Sequence, residues 1–146
     1  MAEDANSLIS KARQALLANN ALVSMMYLDR VQDDYSRPVV KSLLAYCLAK
    51  EKRQFQKALS LCAEALREDP TDPEHYYHLG RIYLLATKKD FAIAAFRKGL
   101  KVKRYEPIVN ELTRMGLRNK LVFDGLPRNH ALNKLAGLVL SRVGAR

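Results

Sequence analysis

The stretch YYHLGRIY, residues 76–83, carries the clearest structural pattern in this 146-residue chain. Tyr76, Leu79 and Tyr83 are spaced i, i+3 and i+7, which places their side chains on one face of an α-helix. Gly80 lies beside them, where a missing side chain lets a second helix approach closely. Because these residues serve packing, the stretch predicts a helix in close contact with a neighbour.

A second amphipathic segment follows, and its pattern recurs along the chain. Ala92, Phe96 and Gly99 give a small–large–small order on one face of a predicted helix over residues 91–102. A similar order appears 34 and 68 residues upstream, in the triads Ala58–Cys62–Ala65 and Ser24–Leu28–Val31. The helix before the middle triad fits this period if one extra residue lies in the turn at residues 50–54.

These residues and their spacing resemble the tetratricopeptide repeat, a 34-residue helix–turn–helix unit. Asp72 and Pro73 suit the start of the first helix of its best copy, as N-cap and first-turn proline. Two departures are Tyr76, where the family prefers Trp, and the turn at residues 87–90, which lacks the usual Gly. An unrelated helical hairpin bundle is the alternative.

The resemblance implies an all-α fold, an α-solenoid of antiparallel helix pairs with a capping helix and an extra C-terminal helix. About three repeats span residues 5–104, close to the minimum that buries a continuous core by stacking. The capping helix is predicted over residues 104–115, with a polar side formed by Asn110, Glu111 and Arg114. Residues 1–116 then form the repeat domain.

Residues 117–146 are predicted to form a loop followed by an amphipathic helix over residues 130–143. Leu132, Leu135, Val139 and Val143 would share one stripe of that helix. Three arrangements of this helix remain open: it packs on its own repeats, it binds a second copy or a partner helix, or it lies on an acidic membrane surface.

Charge is distributed unevenly along the chain, whose formal net charge is +10. Residues 1–79 carry 10 Lys or Arg and 11 Asp or Glu, whereas residues 80–146 carry 15 and 4. A basic C-terminal half favours an acidic partner, such as an acidic protein segment, RNA or an anionic lipid surface. A solvated face that only maintains solubility is the simpler interpretation, favoured for Lys98, Lys101, Lys103 and Arg104.

The composition predicts a cytoplasmic protein. No apolar run approaches the roughly 18 residues that a membrane span requires, and the N-terminus has no signal-peptide pattern. Cys47 and Cys62 lie on predicted apolar helix faces, where a free thiol behaves as a small hydrophobe.

No pattern of catalytic residues is present: the chain has no P-loop, no GxSxG, no HExxH and no glycine-rich dinucleotide turn. His75 and His78, next to Glu74, are spaced for joint metal ligation. Surface histidine pairs are common, however, and structural zinc sites normally use four ligands. The sequence therefore predicts a noncatalytic protein without cofactor or metal.

The resemblance also implies where a partner would bind, because tetratricopeptide proteins typically hold extended peptides or helices on the concave face lined by the first helix of each repeat. Only Arg13 is basic among the positions where some family members hold a peptide carboxylate, so a chaperone-tail adaptor is not expected. The function implied is a protein–protein interaction module; the alternative is an RNA-associated accessory protein that uses the basic half. The predicted groove residues are Arg13, Ser42, Tyr46, Lys50, Tyr77, Arg81, Leu84 and Leu85.

Overall fold

The computed structural model describes residues 3–31 and 36–117. The predicted helix at residues 130–143, and all of the preceding loop except Leu117, lie outside the described residues. The described residues form seven α-helices and no strands: α1 (Ala5–Leu17), α2 (Ala21–Asp29), α3 (Pro38–Lys52), α4 (Phe55–Glu68), α5 (Pro73–Leu85), α6 (Lys89–Val102) and α7 (Glu106–Arg114). None of these helices combines the length and apolar character needed to cross a membrane.

Local capping explains where several helices begin. The Asp4 carboxylate accepts a hydrogen bond from the Ser7 amide at 2.7 Å, and α1 starts there. Asp72 accepts from the Glu74 amide at 2.9 Å and Pro73 follows it in the first turn of α5, as the sequence predicts. A carboxylate at the N-cap satisfies a backbone amide that has no partner within the helix.

Each helix packs on the next one along the chain, and α3 also contacts α1 and α5. One apolar cluster is built from α1 to α5, and a second joins α5, α6 and α7 around Phe96. All nine residues of the three sequence triads are buried. Cys47 and Cys62 are free, buried thiols, in agreement with their predicted role as small hydrophobes.

Close approach at two glycines joins α5, α6 and α7. A Cβ atom on Gly80 would lie 2.2 Å from a ring carbon of Phe96, and one on Gly99 would lie 2.6 Å from Ile108 and 2.9 Å from the Tyr76 Cβ. Contacts below 3.0 Å are forbidden by van der Waals repulsion, so no other residue fits without movement of its neighbours. The predicted packing roles of Gly80 and Tyr76 are thereby explained.

Three turns contain a residue in the left-handed backbone conformation. Asn19, Arg53 and Thr87 have φ values of 58°, 55° and 59°. Successive members of this set are 34 residues apart in the chain. Each stands between the two helices of a sequential pair, α1–α2, α3–α4 and α5–α6. Thr87 therefore adopts the conformation that glycine would otherwise supply in the turn at residues 87–90.

The hydrogen bond that closes the end of α3 spans one residue more than its counterparts after α1 and α5. The Leu48 carbonyl accepts from the amides of Arg53 and Gln54. After α5, the Tyr83 carbonyl accepts from Lys88, only five residues on, at 2.8 Å. The last turn of α3 is therefore wider than that of α5.

One expectation for α7 is wrong. Glu111 was predicted on the polar outer side of this helix, but it is buried, and Arg114 donates to its carboxylate at 3.1 Å. Asn110 and Arg114 are exposed as predicted. The i, i+3 spacing of Glu111 and Arg114 lets the exposed guanidinium reach back over the helix, so that the carboxylate is buried with a partner.

Candidate functional site

One face of α5 presents a row of polar and aromatic side chains. Glu74, Tyr77, His78 and Arg81 are spaced i, i+3, i+4 and i+7, so they align along the helix. All four line an open pocket of about 120 Å³. This row lies beside the packing residues of the same helix, and α5 therefore contributes to both the core and a surface cleft.

A second pocket, of about 300 Å³, adjoins the first and shares five of its lining residues. We call the two together the groove. It runs between the C-terminal end of α1, the polar and aromatic row of α5 and the start of α7. The shared walls are Leu16, Leu17, Tyr77, Arg81 and Pro107.

Arg13 and Glu74 form a bidentate ion pair at the narrower end of the groove. The Arg13 Nε donates to Glu74 Oε2 at 2.9 Å and its Nη2 donates to Oε1 at 2.8 Å. His78 is buried next to them, with Nε2 3.7 Å from Glu74 Oε2. Because its guanidinium is already paired, Arg13 is not an open receptor for a carboxylate.

This arrangement shifts two pKa values. Burial by itself raises the pKa of Glu74, but the contacts with His78 and Arg13 outweigh it and hold the pKa at about 2. Burial lowers the pKa of His78 more strongly than the Glu74 carboxylate raises it. Glu74 is therefore ionised and His78 neutral near pH 7, and the site holds one Arg–Glu pair beside a neutral imidazole.

Arg81 lies between two tyrosine rings. Its Nη2 donates to the Tyr46 hydroxyl at 2.7 Å, and its Cζ lies 3.9 Å from the centre of the Tyr46 ring and 5.1 Å from that of Tyr77. Cation–π contacts hold the guanidinium in place without neutralising its charge. Among the described residues, no carboxylate forms an ion pair with Arg81.

Tyr77 forms the middle of the groove wall. Its ring meets Tyr105 in an edge-on contact, with the ring centres 5.7 Å apart. Burial raises the pKa of both hydroxyls, so each remains a neutral hydrogen-bonding group. Tyr105 directly precedes α7 and thereby connects the groove wall to that helix.

The structure brings three of the eight predicted groove residues together: Arg13, Tyr77 and Arg81. Ser42 and Tyr46 are buried beneath α5, where they bond to His75 and Arg81. The other three do not line the groove: Leu84 and Leu85 pack against the two apolar clusters, and Lys50 is half-buried at the end of α3.

Several groove residues lie outside the sequence prediction. Leu17 is the last residue of α1 and is 77% exposed, and Pro107 comes from the first turn of α7. An apolar residue at a helix end is a weak sequence signal, since such positions often face solvent or a loop. Only the relative placement of α1 and α7 makes these residues two sides of one cleft.

His75 and His78 were expected as a surface pair, and that expectation is wrong. Both side chains are buried. His75 lies 2.8 Å from the Ser42 hydroxyl through Nδ1, whereas His78 faces Glu74. The two imidazoles thus have separate surroundings, although they are one helical turn apart.

Comparison with family models, with curated proteins and with solved structures finds no match to this chain.

Proposed function

We propose that this chain is a noncatalytic protein–protein interaction module that holds a peptide or helix in the groove between α1, α5 and α7. The observation that carries the proposal is the combination of an exposed apolar wall at Leu17 with a guanidinium, Arg81, that has no acidic partner among the described residues. A surface of this kind offers both buried area and a directed charge to a partner.

We also propose that the helices form a tetratricopeptide-like solenoid. Three features support this: the 34-residue interval between the left-handed residues Asn19, Arg53 and Thr87, the burial of all three triads, and the contacts of α3 with α1 and α5. In such a solenoid the first helices of successive repeats line one concave face. The groove residues on α1 and α5 belong to those helices.

The groove chemistry indicates the class of partner. A carboxylate of the partner would pair with Arg81, whose orientation is already held by Tyr46 and Tyr77. An apolar side chain next to it would cover Leu17 and Pro107. We therefore expect a peptide that carries an acidic residue close to an aliphatic or aromatic one.

A peptide-display selection on the full chain tests this function. Selected peptides should pair an acidic residue with an apolar one, and their affinity should fall about tenfold or more for Leu17→Glu, which places a charge in the apolar wall. Leu17 is exposed, so this substitution leaves the fold nearly unchanged.

Leu22→Glu is the matched control. Leu22 is also an exposed leucine, 60% accessible, but it lies on α2 and does not line the groove. Peptide affinity for this variant should stay within about twofold of the wild-type value. Peptides that bind Leu17→Glu as well as the wild type would contradict the proposal.

A further inference from the structure

A second cluster of functional side chains lies in the turn between α4 and α5. Asp69 ends α4, Asp72 caps α5, and His75 lies in the first turn of α5. One ligand atom of each, a carboxylate oxygen or an imidazole nitrogen, lies within 4.8 Å of the other two. None of these residues lines the groove, so the cluster is independent of the proposed binding function.

His75 supplies the deepest atom of the cluster. Its side chain is 1% exposed, and its Nε2 is buried without a hydrogen-bond partner. Nδ1 lies 2.8 Å from the Ser42 hydroxyl, which itself donates to the Val39 carbonyl at 3.4 Å. We assign the tautomer in which Nδ1 carries the imidazole proton and donates to Ser42, whose own proton goes to Val39; Nε2 then presents a lone pair to the turn.

Both carboxylates turn one oxygen toward that lone pair. Asp69 Oδ2 lies 3.6 Å and Asp72 Oδ2 3.9 Å from His75 Nε2. The other oxygens are used within the turn: Asp69 Oδ1 accepts from the Thr71 hydroxyl at 3.0 Å and Asp72 Oδ1 from the Glu74 amide at 2.9 Å. In this tautomer three acceptor atoms converge on one point, where a cation would stabilise them.

We infer that Asp69, Asp72 and His75 bind a divalent transition-metal ion of the zinc class. Zinc bonds to nitrogen and oxygen are about 2.0–2.2 Å long, so ligand atoms around a tetrahedral ion lie about 3.4 Å apart. The observed distances of 3.6 Å and 3.9 Å need only a few tenths of an ångström of contraction. Three protein ligands leave the fourth position to water.

The surroundings of His75 fit this assignment. A metal-bound histidine commonly donates its second ring proton to a neighbouring acceptor that fixes the tautomer, and the Ser42 hydroxyl takes that place. A neutral imidazole ligand favours zinc-class ions over Mg²⁺ and Ca²⁺, which prefer oxygen alone. The competing arrangement is the other tautomer, in which Ser42 donates to Nδ1 and the proton on Nε2 faces the two carboxylates.

Such an ion would connect the end of α4 to the first turn of α5. Asp69 lies in the turn, while Asp72 and His75 belong to the start of the next helix. Through the hydrogen bond from His75 to Ser42, the site would also be tied to α3. Metal binding would therefore stabilise the angle between the α3–α4 pair and the α5–α6 pair.

Calorimetric titration of the chelator-treated full chain with Zn²⁺ tests the inference. We expect one site in the wild type, and a loss of affinity of about tenfold or more in Asp69→Asn and in Asp72→Asn. Both variants keep the oxygen that accepts the turn hydrogen bond, and asparagine is as good an N-cap as aspartate. Saturation to about 100 times Kd should raise the Tm of the wild type by roughly 5–15 °C.

Asp90→Asn is the control. Asp90 is exposed in the first turn of α6, and its substitution removes one negative charge, as the two test substitutions do. It should bind Zn²⁺ as the wild type does. Equal affinity in the wild type, Asp69→Asn and Asp72→Asn would overturn the inference, because the ion would then bind elsewhere. Absence of wild-type binding at millimolar Zn²⁺ would overturn it as well and would favour the tautomer with the proton on Nε2.

Discussion

Arg13 and Glu74 lie 61 residues apart in the chain and form a bidentate ion pair with N–O distances of 2.9 Å and 2.8 Å. The pair connects α1 to α5 and closes the narrower end of the groove. Bidentate Arg–carboxylate pairs combine charge with geometric specificity. This contact therefore fixes the positions of two helices that contribute different walls of the groove.

The contacts of Glu74 with His78 and Arg13 predict an acid-sensitive component of stability. The pKa of Glu74 falls from an ordinary 4.5 to about 2 in the folded chain. A lowered pKa stabilises the folded state above about pH 4.5, and this contribution is lost as the pH falls toward 2. Glu74→Gln should reduce the free energy of unfolding at pH 7 and lessen its decline between pH 6 and pH 2.5, by on the order of 3 kcal/mol.

Urea denaturation followed by circular dichroism at each pH measures this difference. Glu51→Gln is the control, because it removes a carboxylate from an exposed position at the end of α3. It should preserve the wild-type pH dependence. An equal decline of stability in Glu74→Gln and the wild type would contradict the assigned role of the pair.

Close packing at Gly80 predicts a strong effect of one added methyl group. In Gly80→Ala the new Cβ would lie 2.2 Å from the ring of Phe96, which is fully buried. Overpacking should outweigh the gain in helix propensity, which is about 1 kcal/mol. We expect a net destabilisation of about 1–2 kcal/mol, measured by thermal or urea unfolding.

A double-mutant cycle separates this clash from a general effect of the substitution. Phe96→Leu removes the ring that the new methyl group meets, so Gly80→Ala should be less destabilising in that background by about 0.5 kcal/mol or more. Additive effects of the two substitutions would show that Phe96 is not what requires a glycine at position 80.

Glycine substitution at the left-handed turn residues should change the free energy of unfolding by different amounts at different positions. Thr87 is β-branched and exposed, and its φ of 59° is unfavourable for such a residue. Thr87→Gly should raise the free energy of unfolding by about 0.5–1 kcal/mol, because glycine adopts this conformation without a steric penalty. Asn19→Gly should change stability by less, since asparagine tolerates the left-handed region.

Melting curves of the two variants and the wild type, recorded under identical conditions, measure these changes in stability. The informative quantity is the difference between them, because both substitutions lie at the same place in a turn between two helices. A larger gain for Asn19→Gly than for Thr87→Gly would argue against backbone strain at Thr87.

Burial predicts inert thiols in the folded protein. Desolvation raises the pKa of Cys47 to about 11 and that of Cys62 to about 12. The thiolate is the reactive form, so neither residue should react with a chromogenic disulfide reagent at pH 8. Two thiols per chain should react once the protein is unfolded in guanidinium. Rapid reaction of either thiol without denaturant would show that the α3–α4 interior opens locally.

Much of the helical architecture is predictable from local signals. The spacing of Tyr76, Leu79 and Tyr83 predicted the helix that became α5, and the capping pair Asp72 and Pro73 predicted its start. These signals act over one or two helical turns, so they do not depend on the rest of the chain. The buried triads were predictable for a related reason, because small and large residues alternate on faces that pack together.

The candidate site was predictable only in part. Tyr77 and Arg81 were found because they alternate with packing residues on one helix. Ser42 and Tyr46 were expected on the same surface, but they are buried, since a side chain on a contacting helix can point under its neighbour as readily as into a cleft.

The sequence by itself determined the helices, their caps and the faces that form the core, because hydrophobic periodicity and capping depend on neighbours within a few residues. Only the tertiary structure decided that Arg13 pairs with Glu74, that Leu17 faces Tyr77 across a groove, and that His75 turns toward Asp69. These relationships depend on the angles and distances between helices, which are set by side-chain volumes at contacts such as Gly80 with Phe96. Such volumes act together across the whole core, and no single stretch of sequence contains them.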